Sequence, residues 1–288
     1  MKLILSNICK KYKNTVLNQI SFEVESGILG LLGENGAGKT TLIEIIATLI
    51  KPTDGTVYYD DFTFENDLYK IRHQIGYLPQ KFDFFPNLTV EEALYYICKL
   101  KGINTKEQRA IEIDEKIRQV GLEEQKKKKF CMLSGGMKQR LGIAQALIGN
   151  PKILLVDEPT VGLDPHERVA FRQLLSSLAQ ERLIILSTHI IEDVAMTSDM
   201  VLVLHKGKVN YFGHISSLIE SVRGKVWRYK GDIIVKEIQQ QGIIIGSHPT
   251  DTGIEVRFLA EHKIANSVLV SPTLEDAYIY TNRKRGTN

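Results

Sequence analysis

A glycine-rich segment, GENGAGKT at Gly33–Thr40, has the residue types and the spacing of a phosphate-binding loop. Its glycines allow successive backbone N–H groups to turn inward around an oxyanion, and the helix predicted after it adds the positive end of its dipole. In this pattern we expect Lys39 to reach the β- and γ-phosphates, Thr40 to coordinate Mg²⁺ and Thr41 to touch the α-phosphate. The candidate phosphate-binding residues are Gly33, Glu34, Asn35, Gly36, Ala37, Gly38, Lys39, Thr40 and Thr41.

A second motif, ILLVDEP at Ile153–Pro159, consists of apolar residues followed by two carboxylates. A buried strand of this kind delivers its acids at the carboxyl end, where open α/β sheets bind ligands. We expect Asp157 to hold Mg²⁺ through water and Glu158 to polarise an attacking water as general base. Taken alone, Asp-Glu-Pro is more typical of a capped strand end, but the phosphate loop favours the catalytic interpretation.

A third motif, LSGGMKQR at Leu133–Arg140, places Ser134, Gly135 and Gly136 directly before a predicted helix. Such a helix start is a second anion-binding site. Because one domain that holds one nucleotide does not need two such sites, we expect Ser134 and its glycines to contact the γ-phosphate held by a partner subunit. Two subunits arranged reciprocally would then enclose two nucleotides. An ordinary serine-capped helix is the alternative.

In this order, the three motifs resemble the ABC ATPase family over nearly all of residues 1–215. The resemblance implies that the ligand is ATP with Mg²⁺. It also implies that Tyr12 in KKYKNTVL stacks on adenine and that Gln80 in GYLPQ touches Mg²⁺ and the attacking water. Asp164 in GLDP matches the loop that crosses to the partner subunit, and His189 in LSTHI matches the histidine at the γ-phosphate. The expected catalytic residues are therefore Glu158, His189, Gln80 and Lys39, and the expected metal-binding residues are Thr40, Gln80 and Asp157.

Three features are similar to the type-2 exporter branch of that family. They are the sequence EPTVGLDP, the tail after residue 215 and the sequence SPTLEDAYIY near the end of that tail. Members of this branch export drugs, antibiotic peptides or cell-surface polymers. An importer ATPase subunit is one alternative. A soluble ABC ATPase acting on ribosomes or nucleic acid is another, but such proteins usually carry two cassettes or long coiled-coil or zinc insertions, and this sequence has one cassette, no heptads and no cysteine clusters.

The hydrophobic pattern predicts an α/β fold. Residues 2–9 and 16–24 read as a strand pair, and buried strands alternate with helices from residue 137 onward, which is typical of a parallel sheet covered on both faces. We therefore expect a P-loop ATPase core with an antiparallel β subdomain over residues 1–215, with a helical insertion at about 85–150. Residues 216–288 should form a small α+β accessory domain.

Composition limits the partners. The net charge of +3 over 288 residues is far below that of a typical nucleic-acid binder. The apolar runs are much shorter than the roughly 18 residues needed to span a bilayer, so a separate membrane-spanning permease subunit must supply the spans. We expect the chain to lie at the cytoplasmic face of the cell membrane through that permease, paired with a second ATPase subunit that is either an identical copy or a paralogue.

Two smaller features leave predictions for the structure. Cys9, Cys98 and Cys131 have no metal-ligand spacing and are expected to be reduced, buried thiols. The aromatic residues Phe82, Phe84 and Phe85 follow Gln80 directly. They either pack beneath the helical insertion or form a partner surface, which in the resembled family receives a short helix of the membrane subunit.

Overall fold

Backbone contacts divide the chain into two units, Met1–Val209 and Asn210–Asn288, in a computed structural model that describes residues 1–65, 67–234, 236–251, 253–264 and 266–284. The division falls within the strand Lys208–His214, whereas the sequence predicts a domain boundary after residue 215. The boundary at residue 215 stays a prediction.

Strands and helices alternate through most of the described residues. The strands are β1 (Leu3–Lys11), β2 (Thr15–Val24), β3 (Ile28–Leu32), β4 (Asp54–Tyr59), β5 (Phe62–Thr63), β6 (Ile75–Leu78), β7 (Ile153–Asp157), β8 (Leu183–Thr188), β9 (Met200–His205), β10 (Lys208–His214), β11 (Val226–Gly231), β12 (Ile243–Thr250), β13 (Gly253–Leu259) and β14 (Val268–Leu269). The helices are α1 (Lys39–Ile46), α2 (Leu68–His73), α3 (Val90–Leu100), α4 (Lys106–Gln119), α5 (Gly135–Leu147), α6 (Pro165–Leu178), α7 (Ile191–Thr197), α8 (Ile215–Glu220), α9 (Lys236–Gln241) and α10 (Leu274–Lys284), with 3₁₀ turns at Glu123–Gln125 and Phe130–Met132.

The amino-terminal sheet is antiparallel and has the strand order β2-β1-β4-β5. Leu3, Leu5 and Ile8 on β1 are fully or almost fully buried, and they alternate with more exposed neighbours at the start of the strand. This period of two is the pattern of a sheet with one buried face. The predicted strand pair and antiparallel β subdomain are confirmed.

The central sheet has the order β10-β9-β3-β8-β7-β6. Pairs β9–β3, β3–β8, β8–β7 and β7–β6 are all parallel, and every residue of β3, β7 and β8 is buried. Continuous apolar runs of this kind are typical of parallel strands covered on both faces. Since the strands are parallel, their carboxyl ends meet at one edge, which is where the segments after β3, β7 and β8 begin.

The helical insertion shares a hydrophobic core with that sheet. Its buried side chains include Leu94 on α3, Ile113 and Ile117 on α4, and Phe130 in the second 3₁₀ turn. Helix α3 begins with a capping box in which Thr89 and Glu92 bond to each other's backbone N–H. The predicted helical insertion and α/β core are therefore confirmed.

The second unit contains an antiparallel sheet of order β12-β13-β11-β14. Its core includes Ile238, Val256 and Phe258, all fully buried. Arg257 donates two hydrogen bonds to the buried Asp276 on α10, at 2.8 and 2.6 Å. The sequence predicted neither α8 nor the short strand β14. The sequence also predicts a helix over Asp232–Gln240, and α9 is observed over Lys236–Gln241; residue 235 lies outside the described residues.

The three cysteines are free, but they differ in burial. Cys98 is buried as predicted, Cys9 is half-buried, and Cys131 is exposed, so the prediction of burial is wrong for Cys131. The reason is local, because Phe130 in the same 3₁₀ turn points inward. A 3₁₀ turn has three residues, so the side chain of the next residue, Cys131, points in a different direction.

Within the described ranges, no helix combines the length and apolar composition needed to cross a membrane.

Close packing of α5 on β6 depends on Gly76. A Cβ atom at this position would overlap the Ala146 carbonyl group, 3.0 Å from its carbon atom and closer still to its oxygen. Both atoms belong to backbone, so the overlap can be relieved only by moving the helix away from the strand that leads to Gln80.

Replacing Gly76 by alanine should therefore lower the free energy of unfolding by about 1–3 kcal/mol, the usual cost of overpacking. Urea unfolding monitored by far-ultraviolet circular dichroism measures this change. Tryptophan fluorescence is less suitable, because the single tryptophan, Trp227, lies in the other unit. Gly135→Ala is the matched control, since its Cβ would meet only Leu163 at 3.8 Å. Equal unfolding midpoints for the two variants would contradict the packing argument.

Candidate functional site

The phosphate-binding loop joins β3 to α1 and requires glycine at both ends. Gly38 is the residue before α1 and has φ +105°, a conformation that disfavours any side chain. A Cβ at Gly33 would lie 2.5 Å from the Leu204 carbonyl oxygen. No side chain caps α1, so the N–H groups of its first turn lack a side-chain acceptor. An uncapped helix start after a glycine-rich turn is a favourable place for an anion.

Lys39, the first residue of α1, is buried and points back along its own loop. Its ammonium group donates to the Gly33 carbonyl oxygen at 2.8 Å and lies 3.4 Å from that of Glu34. It also forms an ion pair with the Glu158 carboxylate at 3.2 Å. The loop and the carboxyl end of β7 are therefore joined through one lysine.

Glu158 occupies the centre of this arrangement. Its other carboxylate oxygen lies 2.8 Å from Nδ1 of His189, while Lys39 holds the first. The residue is only 4% exposed and has φ +49°, an unusual backbone conformation for a residue with a side chain. Its N–H donates to the Ser187 carbonyl oxygen at 2.9 Å, which holds that conformation in place. Local strain of this kind is concentrated at functional sites.

Asp157 ends β7 beside Glu158 and is fully buried. Within the described part of the chain, neither of its carboxylate oxygens has a hydrogen-bond partner. Burial raises the pKa of this carboxyl, and the Ser187 and Thr40 hydroxyl groups, which lie near it outside hydrogen-bonding geometry, oppose that shift. A buried carboxylate without a partner is costly, and a cation bound beside it would offset the cost.

A cleft of about 510 Å³ brings eight of the predicted residues together. The residues that line it are Val16, Asn35, Gly36, Gly38, Lys39, Thr40, Thr41, Gln80 and Glu158. Gln80 follows β6 and is exposed, so its amide is free to approach a ligand in the cleft. The structure thus assembles the loop, the expected general base and the glutamine from separate strand ends.

Tyr12 does not line this cleft. Its ring is 55% exposed and lies beneath the Lys10 ammonium group, 5.0 Å from the ring centroid. Val16, on β2 after the turn that contains Tyr12, does line the cleft. The aromatic ring is therefore carried on a turn close in sequence to the site.

The third motif lies elsewhere in the fold. Ser134 caps α5 by accepting from the Met137 N–H at 3.3 Å, and Asp164 caps α6 by accepting from the Glu167 N–H at 2.8 Å. Ser134 and Gly136 line a second cleft of about 570 Å³, which shares no lining residue with the first. A single chain does not bring Ser134, Gly135, Gly136 or Asp164 to the phosphate-binding loop cleft.

Two residues at these sites were missed by sequence reasoning. Ser187 on β8 lies in register with Asp157 on β7, and Glu167 contacts Ser134. The parallel order of β7 and β8 could have indicated Ser187. Glu167 could not be identified from the sequence, because its contact with Ser134 depends on how α5 and α6 are placed relative to each other.

Of the two open alternatives for the aromatic residues after Gln80, packing beneath the helical insertion is confirmed for Phe82 and Phe84, and the partner surface stays a prediction. Phe82 and Phe84 are half-buried and pack against Phe130, with ring centroids 6.0 and 6.5 Å away. Phe85 is 58% exposed and contacts the exposed ring of Tyr96 on α3 at 6.0 Å. The cluster is anchored beneath the insertion and presents an aromatic surface at its outer side.

Comparisons with known proteins agree with this geometry. A family model described as ABC transporter matches residues 17–161. The ABC transporter ATP-binding protein NatA of Bacillus subtilis (strain 168) is 35% identical over 223 residues, covering 76% of this chain and 90% of NatA. The bacitracin transport ATP-binding protein BcrA of Enterococcus faecalis is 38% identical over 218 residues, covering 74% of this chain and 69% of BcrA.

A solved structure is also similar. The dimeric post-hydrolysis state of the ATP-binding cassette MJ0796, bound to ADP and Pi, matches with a TM-score of 0.66 and 31% identity, over 74% of this chain and 98% of that one. Together with the fold and the two clefts, these matches place the chain in the ABC transporter family, as an ATP-binding subunit and an ABC ATPase.

Proposed function

We propose that this chain hydrolyses MgATP at the Lys39 cleft and that hydrolysis drives a membrane exporter. The observation that carries the proposal is the Glu158 carboxylate, held between Lys39 and His189 at the mouth of a phosphate-binding loop. A carboxylate fixed from both sides is oriented to accept a proton from water. Phosphoryl transfer requires mainly positioning and charge stabilisation, which this arrangement supplies.

In the proposed mechanism, Glu158 is the general base and Lys39 moves from its own loop carbonyl groups to the β- and γ-phosphates. His189, whose ring is partly exposed, contacts the γ-phosphate and keeps the Glu158 carboxylate aligned. Backbone N–H groups of the loop and the start of α1 bind the remaining phosphate oxygens. Gln80, which also lines the cleft, orients the attacking water.

The residues beside Asp157 fit a magnesium ion. Among the described residues, no group of three or more His, Cys, Asp or Glu side chains is arranged to hold a metal. Magnesium does not need such a group, because it is commonly held by one carboxylate, waters and the phosphates of the nucleotide. The buried Asp157 carboxylate, the Thr40 hydroxyl and the Gln80 amide would hold it, and the ion would neutralise charge on the phosphates.

The separate Ser134 cleft favours a two-subunit site. We propose that Ser134, Gly135 and Gly136 contact the γ-phosphate bound by a second ATPase subunit, identical or paralogous, and that Asp164 lies in the loop that crosses to it. Tyr12 stacks on adenine, consistent with its exposed ring. Closure over two ATP molecules then buries both nucleotides.

A membrane-spanning permease is the proposed partner on the side of Phe85 and Tyr96. Both rings are exposed, and the segment follows Gln80 directly, so motion at the nucleotide would reach this surface. The chain would then lie at the cytoplasmic face of the cell membrane. Similarity to BcrA favours export, an importer ATPase subunit is the alternative, and the near-neutral net charge disfavours nucleic acid as a partner.

Replacing Glu158 by glutamine should reduce ATP hydrolysis by about 100-fold or more, because general-base catalysis is typically worth that much. The variant should still bind ATP and should accumulate as a closed dimer. Steady-state phosphate release and light scattering measure the two effects. Glu181→Gln, which removes an exposed carboxylate at the end of the α6 segment, is the control. Near-normal turnover by the Glu158 variant would exclude the general-base role.

Ser134→Arg should abolish ATP-induced dimerisation, since it places bulk and positive charge where the partner's phosphate binds. The experiment uses the Glu158→Gln chain, so that closed dimers persist long enough for light scattering. Ser177→Arg on the exposed surface of α6 is the control and should dimerise normally. Dimerisation of the Ser134 variant at an unchanged ATP concentration would exclude the two-subunit site.

Phe85→Glu should weaken recovery of the permease while leaving ATP binding intact, because a charge would replace an aromatic contact. The tagged chain is recovered from detergent-solubilised membranes, and its partners are identified by mass spectrometry. We expect a chain with several apolar helices of about 20 residues each. Tyr69→Glu on α2 is the control, as Tyr69 is 73% exposed and outside the cluster. Recovery of ribosomes alone would overturn the transporter proposal.

A further inference from the structure

The start of helix α5 already carries a negative group from its own chain. The Ser134 hydroxyl donates to a carboxylate oxygen of Glu167 at 3.2 Å. The same carboxylate lies over Gly136, where an added Cβ would be 2.5 Å from its carbon atom. Glu167 therefore contacts both the serine and the second glycine of the motif proposed to bind a partner's phosphate.

The backbone of Glu167 is fixed by the start of α6. Asp164 accepts a hydrogen bond from the Glu167 N–H at 2.8 Å, and Pro165 begins the helix. The Glu167 side chain therefore extends from the start of α6 to the start of α5. Its carboxylate lies at the start of α5, where the helix dipole favours an anion.

We propose that Glu167 is an internal competitor of the γ-phosphate, occupying the Ser134 site until ATP held by a second copy of this chain displaces it. The proposal rests on the proposed function, in which Ser134 contacts the partner's ATP. Glu167 then sets the ATP concentration at which the two subunits close, and it holds the Ser134 hydroxyl while they are apart.

The chemistry of the contact makes the two ligands exclusive. A serine hydroxyl has one proton, so while Ser134 donates to Glu167 it cannot donate to a phosphate oxygen. A carboxylate beside the incoming phosphate also repels it. Among its described lining residues, the cleft carries Glu123, Glu124 and Glu167 against a single guanidinium, Arg140, so no excess of positive charge offsets this repulsion.

The test is an ATP titration of dimerisation by light scattering, with the full chain carrying Glu158→Gln. Adding Glu167→Gln removes the charge but retains the side-chain length. We expect the half-maximal ATP concentration to fall by roughly fivefold, because a neutral amide oxygen accepts from Ser134 more weakly than a carboxylate and does not repel the phosphate. Glu124→Gln is the matched control: it removes a carboxylate from the same cleft, and nothing in the described contacts joins Glu124 to Ser134.

The outcomes separate this inference from the proposed function. If the half-maximal ATP concentration falls with Glu167→Gln but not with Glu124→Gln, the competition is supported. A residue that only stabilised the fold would raise that concentration when replaced. An unchanged or higher midpoint, or an equal fall with Glu124→Gln, would overturn it while leaving the two-subunit site intact. Failure of the Glu158→Gln chain to dimerise at any ATP concentration would instead contradict the proposed function itself.

Discussion

Parallel pairing of β3, β8 and β7 is the constraint on which the site depends. Leu32 at the end of β3 lies opposite Thr188 on β8, and Ser187 lies opposite Asp157 on β7. Each of these strands is buried along its whole length. A shift of one strand by one residue would therefore turn its side chains to the opposite face of the sheet and displace the polar residues at its end. The fixed register brings the loop, the two acids and the histidine segment to one edge, although they are far apart in sequence.

That edge is built from groups that a stable core would avoid. Glu158 is held in a backbone conformation that typically costs about 1–3 kcal/mol, and Asp157 is buried without a hydrogen bond among the described residues. Lys39 and Glu158 form a buried ion pair, which contributes little net stability compared with apolar packing. Unfavourable local features that occur together in this way are characteristic of a site whose ligand completes it.

The sequence predicted those features that depend on local pattern. The phosphate loop, the strand before it and the helix after it follow from glycine spacing and hydrophobic runs. The apolar run Ile28–Leu32 predicts a buried strand, and β3 has the same bounds. The short strand β14 was missed because two residues carry no periodicity. The prediction that Cys131 is buried was wrong, because hydrophobic character does not reveal which side of a tight turn a residue occupies.

Contacts between distant segments could not be predicted in the same way. The hydrogen bond between Ser134 and Glu167 joins the starts of two helices, and its existence depends on how α5 and α6 pack. Similarly, the Lys39–Glu158–His189 contacts require three strand ends to meet. The family resemblance indicated the last group of residues, but not their mutual distances.

The neighbouring glycines of the third motif differ in what they permit. At residue 135 a methyl group has room, whereas at residue 136 it would overlap the Glu167 carboxylate. Because that carboxylate is the far end of a flexible side chain, a side chain at 136 would displace it from Ser134. The two positions are therefore coupled, since a substitution at 136 would also change which group the Ser134 hydroxyl contacts.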